Sequence, residues 1–246
     1  MDETMRMWME SGFNIFYLVA VWSLVVLMAV RRRRGTGAEQ RIRTLFLWMF
    51  VLLALGDTGH VGFRVVAYAL GDVYTSINIA GGSISLIGLG SLSTSITVTL
   101  FYMLMVLLWK ERSGKQMSPF AWFLLLCGAA RLVILAFPQN QWSALVPPFN
   151  WSLIRNLPLT IQGLGVAALI LRDAAAAENR LFRKIGICIL VSYGFYMPVI
   201  LFVQKVPLIG MLMIPKTLAY LAAAWIGYRG LFTGPATQEL TTSGEA

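Results

Sequence analysis

Seven stretches of this chain are long and apolar enough to cross a bilayer as helices, and no other feature constrains its fold as tightly. Crossing the hydrocarbon layer takes about 20 consecutive apolar residues. The runs Ser11–Val30, Thr44–Leu70, Ser83–Trp109, Pro119–Phe137, Leu153–Leu171, Ile185–Val203 and Gly210–Phe232 reach that length. Lipid offers nothing to pair with backbone amides, so unclosed spanning runs of this kind must be helical. The expected fold is therefore all-α: a polytopic membrane protein with one seven-helix transmembrane domain over residues 1–232. Only 13% of the 246 residues are charged, about half of what a soluble domain uses to cover its surface. No segment is polar enough to form a soluble domain.

The net charge of +9 invites a nucleic-acid reading until its placement is considered. Arg31 to Arg34, Arg41, Arg43, Lys110, Arg112, Lys115, Arg172, Arg180, Arg183, Lys184 and Arg229 fall in or beside alternate connections between the runs. Cytoplasmic loops carry that bias. The N-terminus is then outside and the C-terminus inside, in a multi-pass protein of the plasma membrane. Membrane lipids are the expected partners, nucleic acid is not, and a protein partner is left open. The Arg31–Arg34 run can attract anionic headgroups in a general way. Asp2, Glu3 and Glu10 against Arg6 make a poor signal-peptide start, so the first run reads as a retained anchor. Cys127 and Cys188 lie in apolar runs and read as small core residues. The loop Pro138–Trp151, with Trp142, Trp151 and Pro147–Pro148, is expected to be structured at the outer interface. Residues 233–246 are polar and read as a disordered cytoplasmic tail.

Ionisable groups inside spans are costly and face the bundle interior. The densest set is Gly56-Asp57-Thr58-Gly59-His60-Val61-Gly62-Phe63-Arg64, continuing to Tyr68. Asp57, His60, Arg64 and Tyr68 follow at spacings of three, four and four, which puts them on one helix face. Gly56, Gly59 and Gly62 would let a neighbouring helix approach closely. Asp57 is the only carboxylate in the seven runs and His60 the only histidine in the chain. Arg131, Arg155, Asn156, Gln162, Tyr193, Tyr196 and Lys216 are further polar groups within runs. At about 1.5 Å per residue, these groups share one layer from mid-membrane outward, level with Ser91, Ser93, Thr94 and Ser95. Arg64, Arg131, Arg155 and Lys216 outnumber Asp57 there. Unpaired buried cations are expensive, so the layer calls for an anionic partner, unless the arginines reach the outer interface.

Several chemistries can be weighed on these residues. A catalytic zinc site uses three protein ligands; Asp57 and His60 supply two, so no metal is expected. Acid–base chemistry on a lipid-like substrate would use Asp57 to orient His60, with Arg64 or Lys216 holding the anion. A packing salt bridge from Asp57 to Arg64 or Lys216 is the plainer alternative. Seven spans, an outside N-terminus, Lys216 in the last span and Tyr193-Gly194-Phe195-Tyr196-Met197-Pro198 in the sixth resemble the microbial rhodopsins. That resemblance implies retinal on Lys216 as a Schiff base. It stops there: the third run lacks a carboxylate or arginine, Met213-Ile214-Pro215-Lys216 departs from the family's Asp-x-x-x-Lys, and the sixth run has no tryptophan. Asp57 would have to act as counter-ion from the second span. A transporter would be expected to carry several carboxylates or broken helices; Pro158 and Pro215 are possible kinks. The preferred expectation, with no cofactor, is an outward-facing pocket binding an amphipathic anionic ligand. Arg64, Tyr68, Arg131, Arg155, Gln162, Tyr193, Tyr196 and Lys216 line it, and Asp57 and His60 are the reactive or gating pair. Sensor, lipid-modifying enzyme, transporter and membrane scaffold remain alternatives.

Overall fold

The structure, a computed structural model, describes residues 3–32, 37–70, 75–79, 82–144 and 146–233. Among them run seven α-helices: α1 (Glu3–Arg31), α2 (Gly37–Ala69), α3 (Leu86–Ser113), α4 (Pro119–Leu135), α5 (Phe149–Ala176), α6 (Arg180–Phe202) and α7 (Met213–Gly227). Six helical stretches are long and apolar enough to span a membrane. The apolar α4, with 17 residues, lies at the short end of the spanning range. The chain is an all-α, multi-pass membrane bundle.

Most helices outrun their apolar stretches, and the reason is visible at their inner ends. Arg43 pairs with Glu39 one turn away on α2. Arg41 meets Glu111 of α3 at 2.8 Å. Asp173 of α5 takes Lys115 at 2.9 Å and the indole N–H of Trp109 at 2.8 Å. Hydropathy fades where charges begin, but the helices continue, carrying paired charges past the apolar layer. The third run starts later than expected. Ser76–Ile79 and Gly82–Ser85 form an antiparallel hairpin, β1 and β2, so Ser83 is in a strand. Ser85 then caps α3, its hydroxyl accepting from the Gly88 amide at 3.1 Å, as polar N-caps do. The seventh run opens with a 3-10 segment, Pro207–Leu212, and ends in a π-helical turn, Tyr228–Thr233. Pro215 is the third residue of α7, where amides have no intrahelical acceptor, so it opens that helix instead of kinking it. Pro158 does lie inside α5. Residues 234–246 of the expected tail lie outside the described residues.

Each helix packs on its neighbours in chain order, and α1 closes the ring against α7. The most intimate pair is α2 with α3. A Cβ on Gly56 would come within 1.9 Å of Thr97 Oγ1, and one on Gly59 within 2.7 Å of Ser93 Oγ. From the other side, a Cβ on Gly90 would lie 3.1 Å from the Gly59 carbonyl oxygen. Thr94 uses the proximity to donate its hydroxyl to the Gly56 carbonyl at 2.9 Å. Gly62 faces open space, so it takes no part in the contact that its spacing suggested. The outer loop folds back on the bundle: Trp142 donates its indole N–H to the Leu135 carbonyl at 3.1 Å, and Asn140 its amide to that of Ile134 at 2.7 Å.

The inner half of the bundle is filled with rings. Phe46, Phe50 and Phe101 follow one another at 5.0 and 5.6 Å between centroids, and Phe101 meets Tyr220 edge-on at 5.6 Å. Outward-facing Trp122, Leu126 and Val133 on α4, and Ile15, Phe16 and Val19 on α1, are well exposed. Such contiguous apolar surface fits lipid contact. Gly56→Ala should lower stability by roughly 1–3 kcal/mol through overpacking, whereas Gly62→Ala should be neutral or slightly stabilising. Thermal unfolding of the two variants in mild detergent checks this; equal behaviour would refute the close α2–α3 seam.

Candidate functional site

The outer half of the bundle encloses a cavity of about 500 Å³, lined by residues from all seven helices and from the 3-10 segment. Phe13 and Asn14 of α1, with Pro207 and Gly210 of that segment, mark its outer end. At the inner end Tyr102 and Tyr220 share a hydrogen bond of 2.5 Å above the packed phenylalanines. The cavity lies on the side that the charge bias assigns to the outside.

Seven of the residues singled out in the sequence share its wall: Asp57, His60, Arg64, Arg131, Tyr193, Tyr196 and Lys216. Their partners differ in instructive ways. Asp57 does not orient His60. Its carboxylate accepts the Tyr17 hydroxyl of α1 at 2.7 Å, while His60 Nδ1 is buried without a hydrogen-bond partner among the described residues. His60 Nε2 lies 3.5 Å from an Arg64 nitrogen, the edge of hydrogen-bonding distance. The helical spacing of three and four put these groups on one face, as it should; which of them bond was decided by α1.

Arg131 is only 2% exposed, and its guanidinium works as a fork. Nε donates to the Arg155 carbonyl of α5 at 2.8 Å, and Nη1 to the Ser95 carbonyl of α3 at 2.7 Å and to the Thr99 hydroxyl. A planar guanidinium can make such divergent bonds at once. Pro158 lies one turn beyond Arg155 on α5, and its missing N–H frees the Ile154 carbonyl, next to the Arg155 carbonyl that Arg131 uses. These acceptors satisfy hydrogen bonds without neutralising the charge. Lys216 is held differently again, its ammonium 4.5 Å from the centre of the Tyr196 ring and 5.6 Å from that of Tyr220. No hydrogen bond or ion pair joins it to a described residue. Cation–π contact gives a desolvated ammonium about 2 kcal/mol, well short of what a full counter-ion provides. Tyr196 is anchored by donating to Asn156 Oδ1 at 3.0 Å, and Tyr193 by donating to the Leu159 carbonyl at 2.8 Å.

The remaining expected residues stand apart. Arg155 points to the outer loop, 4.7 Å from the centre of the Trp142 ring and 3.5 Å from Asn140 Oδ1. Gln162 is fully buried beside Gly128 of α4, outside the cavity wall, with its amide unpartnered among the described residues. The Tyr68 side chain lies outside the described residues. No group of three histidines, cysteines or carboxylates able to hold a metal occurs among the described residues. Tyr17 and Tyr220 went unnoticed in the sequence. The signal for Tyr17 was there: a lone tyrosine in the middle of an apolar first run is a ready donor for a buried carboxylate. Neither a known protein family nor a curated protein matches the sequence. Inference about the site therefore rests on its own geometry.

Two substitutions check that geometry by thermal unfolding in detergent. Tyr17→Phe leaves a buried carboxylate without its donor and should cost about 1–3 kcal/mol. Arg131→Lys cannot reproduce the fork between α3 and α5 and should cost at least about 2 kcal/mol. A lysine that holds full stability would show that the guanidinium contacts are dispensable.

Proposed function

We propose that the protein binds an anionic ligand with an apolar part in this outward-opening pocket, as a receptor or sensor of such molecules at the membrane. One observation carries the reading: three cations, Arg64, Arg131 and Lys216, line a cavity whose only carboxylate among the described residues is Asp57. Taking ions out of water costs several kcal/mol each, recovered only with good partners, and the described wall residues leave a formal excess of two positive charges. Leu53, Val61, Val98, Leu159, Met213 and Ile214 supply apolar wall beside them, as small-molecule sites generally do. Binding is favoured over acid–base chemistry because Asp57 is engaged by Tyr17 and does not orient His60. The Tyr102–Tyr220 pair and the phenylalanine rings packed against it favour binding over passage across the membrane.

Lys216→Gln tests the reading. Losing a charged partner should weaken the binding of dodecyl phosphate by roughly 10- to 100-fold. The ligand-free protein should hold its thermal midpoint or gain, because an unneutralised buried cation is removed. Unchanged affinity with a large loss of stability would mean that Lys216 is a packing residue and would sink the proposal.

A second reading draws on the same lysine. The helices close in chain order, and Lys216 and Asp57 line the same cavity, an arrangement that would suit an aldehyde chromophore joined to the amine. Retinal would then give the purified protein a visible absorption band that is lost in Lys216→Arg; a colourless product discards the idea.

A further inference from the structure

We infer that the anion subsite of this pocket selects a dianionic phosphate monoester head over a monoanionic one. The inference rests on the binding function proposed above and specifies its ligand.

Charge count comes first. The described wall residues include three cations and one carboxylate, a formal excess of two positive charges, so a carboxylate or a phosphate diester neutralises one and leaves the other. A phosphate monoester carries close to two negative charges at neutral pH and can neutralise both. The second consideration is donor supply. Lys216 makes no hydrogen bond or ion pair among the described residues, and its contacts are the ring faces of Tyr196 and Tyr220. Arg131 spends Nε and Nη1 on carbonyls and a hydroxyl, and its Nη2 has no hydrogen bond to a described residue. Arg64 has only the 3.5 Å approach of His60. Three separate cationic groups from α2, α4 and α7 therefore reach one cavity with donors to spare. Phosphate has three terminal oxygens to receive them, and a carboxylate has two.

The third consideration is how these groups are held. Arg131 is locked by its bonds to α3 and α5, and Lys216 is wedged between two rings, one of them anchored by Asn156. Neither can swing out to headgroup water without breaking those contacts, so their charge has to be met within the pocket. The apolar residues on α7 and α1, Met213, Ile214 and Phe13, lie toward the outer end, where an alkyl chain would leave the phosphate. The same head chemistry serves a phosphate carried on a membrane lipid and one on a free metabolite.

Binding of four probes to the purified full-length protein in nonionic detergent tests the inference: dodecyl phosphate, methyl dodecyl phosphate, dodecanoate and inorganic phosphate. Dodecyl phosphate should bind at least about tenfold more tightly than its methyl diester and than dodecanoate, the discrimination of one additional charged contact. In Arg64→Gln that preference should shrink to about threefold or less, with the variant still folded by thermal unfolding. Equal affinity for monoester and diester overturns the inference and leaves anionic binding standing. No binding of any alkyl anion overturns both. Binding of inorganic phosphate as tight as that of dodecyl phosphate keeps the dianion preference and assigns the source to a free phosphate metabolite; weak inorganic phosphate binding assigns it to a lipid-like monoester.

Discussion

Hydrocarbon cannot solvate a charge or a peptide group, and nearly every feature of this molecule answers to that constraint. The backbone is satisfied within seven helices. Charges are removed to two places: the inner ends of the helices, where they pair with one another, and the interior of the outer half, where they meet around a cavity. The inner half between these zones is left to phenylalanine and tyrosine rings. The result is a bundle with a polar chamber above an aromatic plug, and any ligand must come from the chamber's open end.

Two contacts hold the chamber in shape. The first is the glycine-mediated approach of α2 to α3, which brings Asp57, His60 and Arg64 up against the hydroxyl-rich face of α3. The second is the Arg131 fork, by which α4 holds α3 and α5 through two backbone carbonyls and a hydroxyl. A buried guanidinium used in this way is a structural element, yet it keeps its charge and contributes to the field of the cavity. Under the proposed function, structural and ligand-binding roles thus share one side chain. Lys216 is placed without that duty, which is why its substitution can separate the proposed binding from folding.

Much of this could be read from residue order. The apolar runs and the basic connections between them, the single carboxylate within those runs, and the cations at similar depth all follow from the price of burying charge. Gly56 and Gly59 stood out by spacing, but so did Gly62, which faces open space, since spacing marks a face without telling how far along it a neighbour stays close. Hydropathy also missed the helical turns beyond the apolar layer, because Glu39 is paired within α2, Glu111 with α2 and Asp173 with Trp109 and Lys115, and only those partners make the turns stable. The Ser83 strand was missed for a similar reason: a short hairpin is held by its pairing across strands.

What residue order determined by itself was the architecture and the depth of each charge, because the bilayer acts on every residue according to its polarity and position along a helix of known rise. Which charges meet was decided only in three dimensions. Depth places Arg155 and Arg131 in one layer, but rotation about the helix axis sends one to the outer loop and the other into the core. Tyr17, two spans' length away along the chain from any candidate, became the partner of Asp57 because α1 packs on α2. Direction around a helix depends on neighbours, and neighbours are fixed by packing.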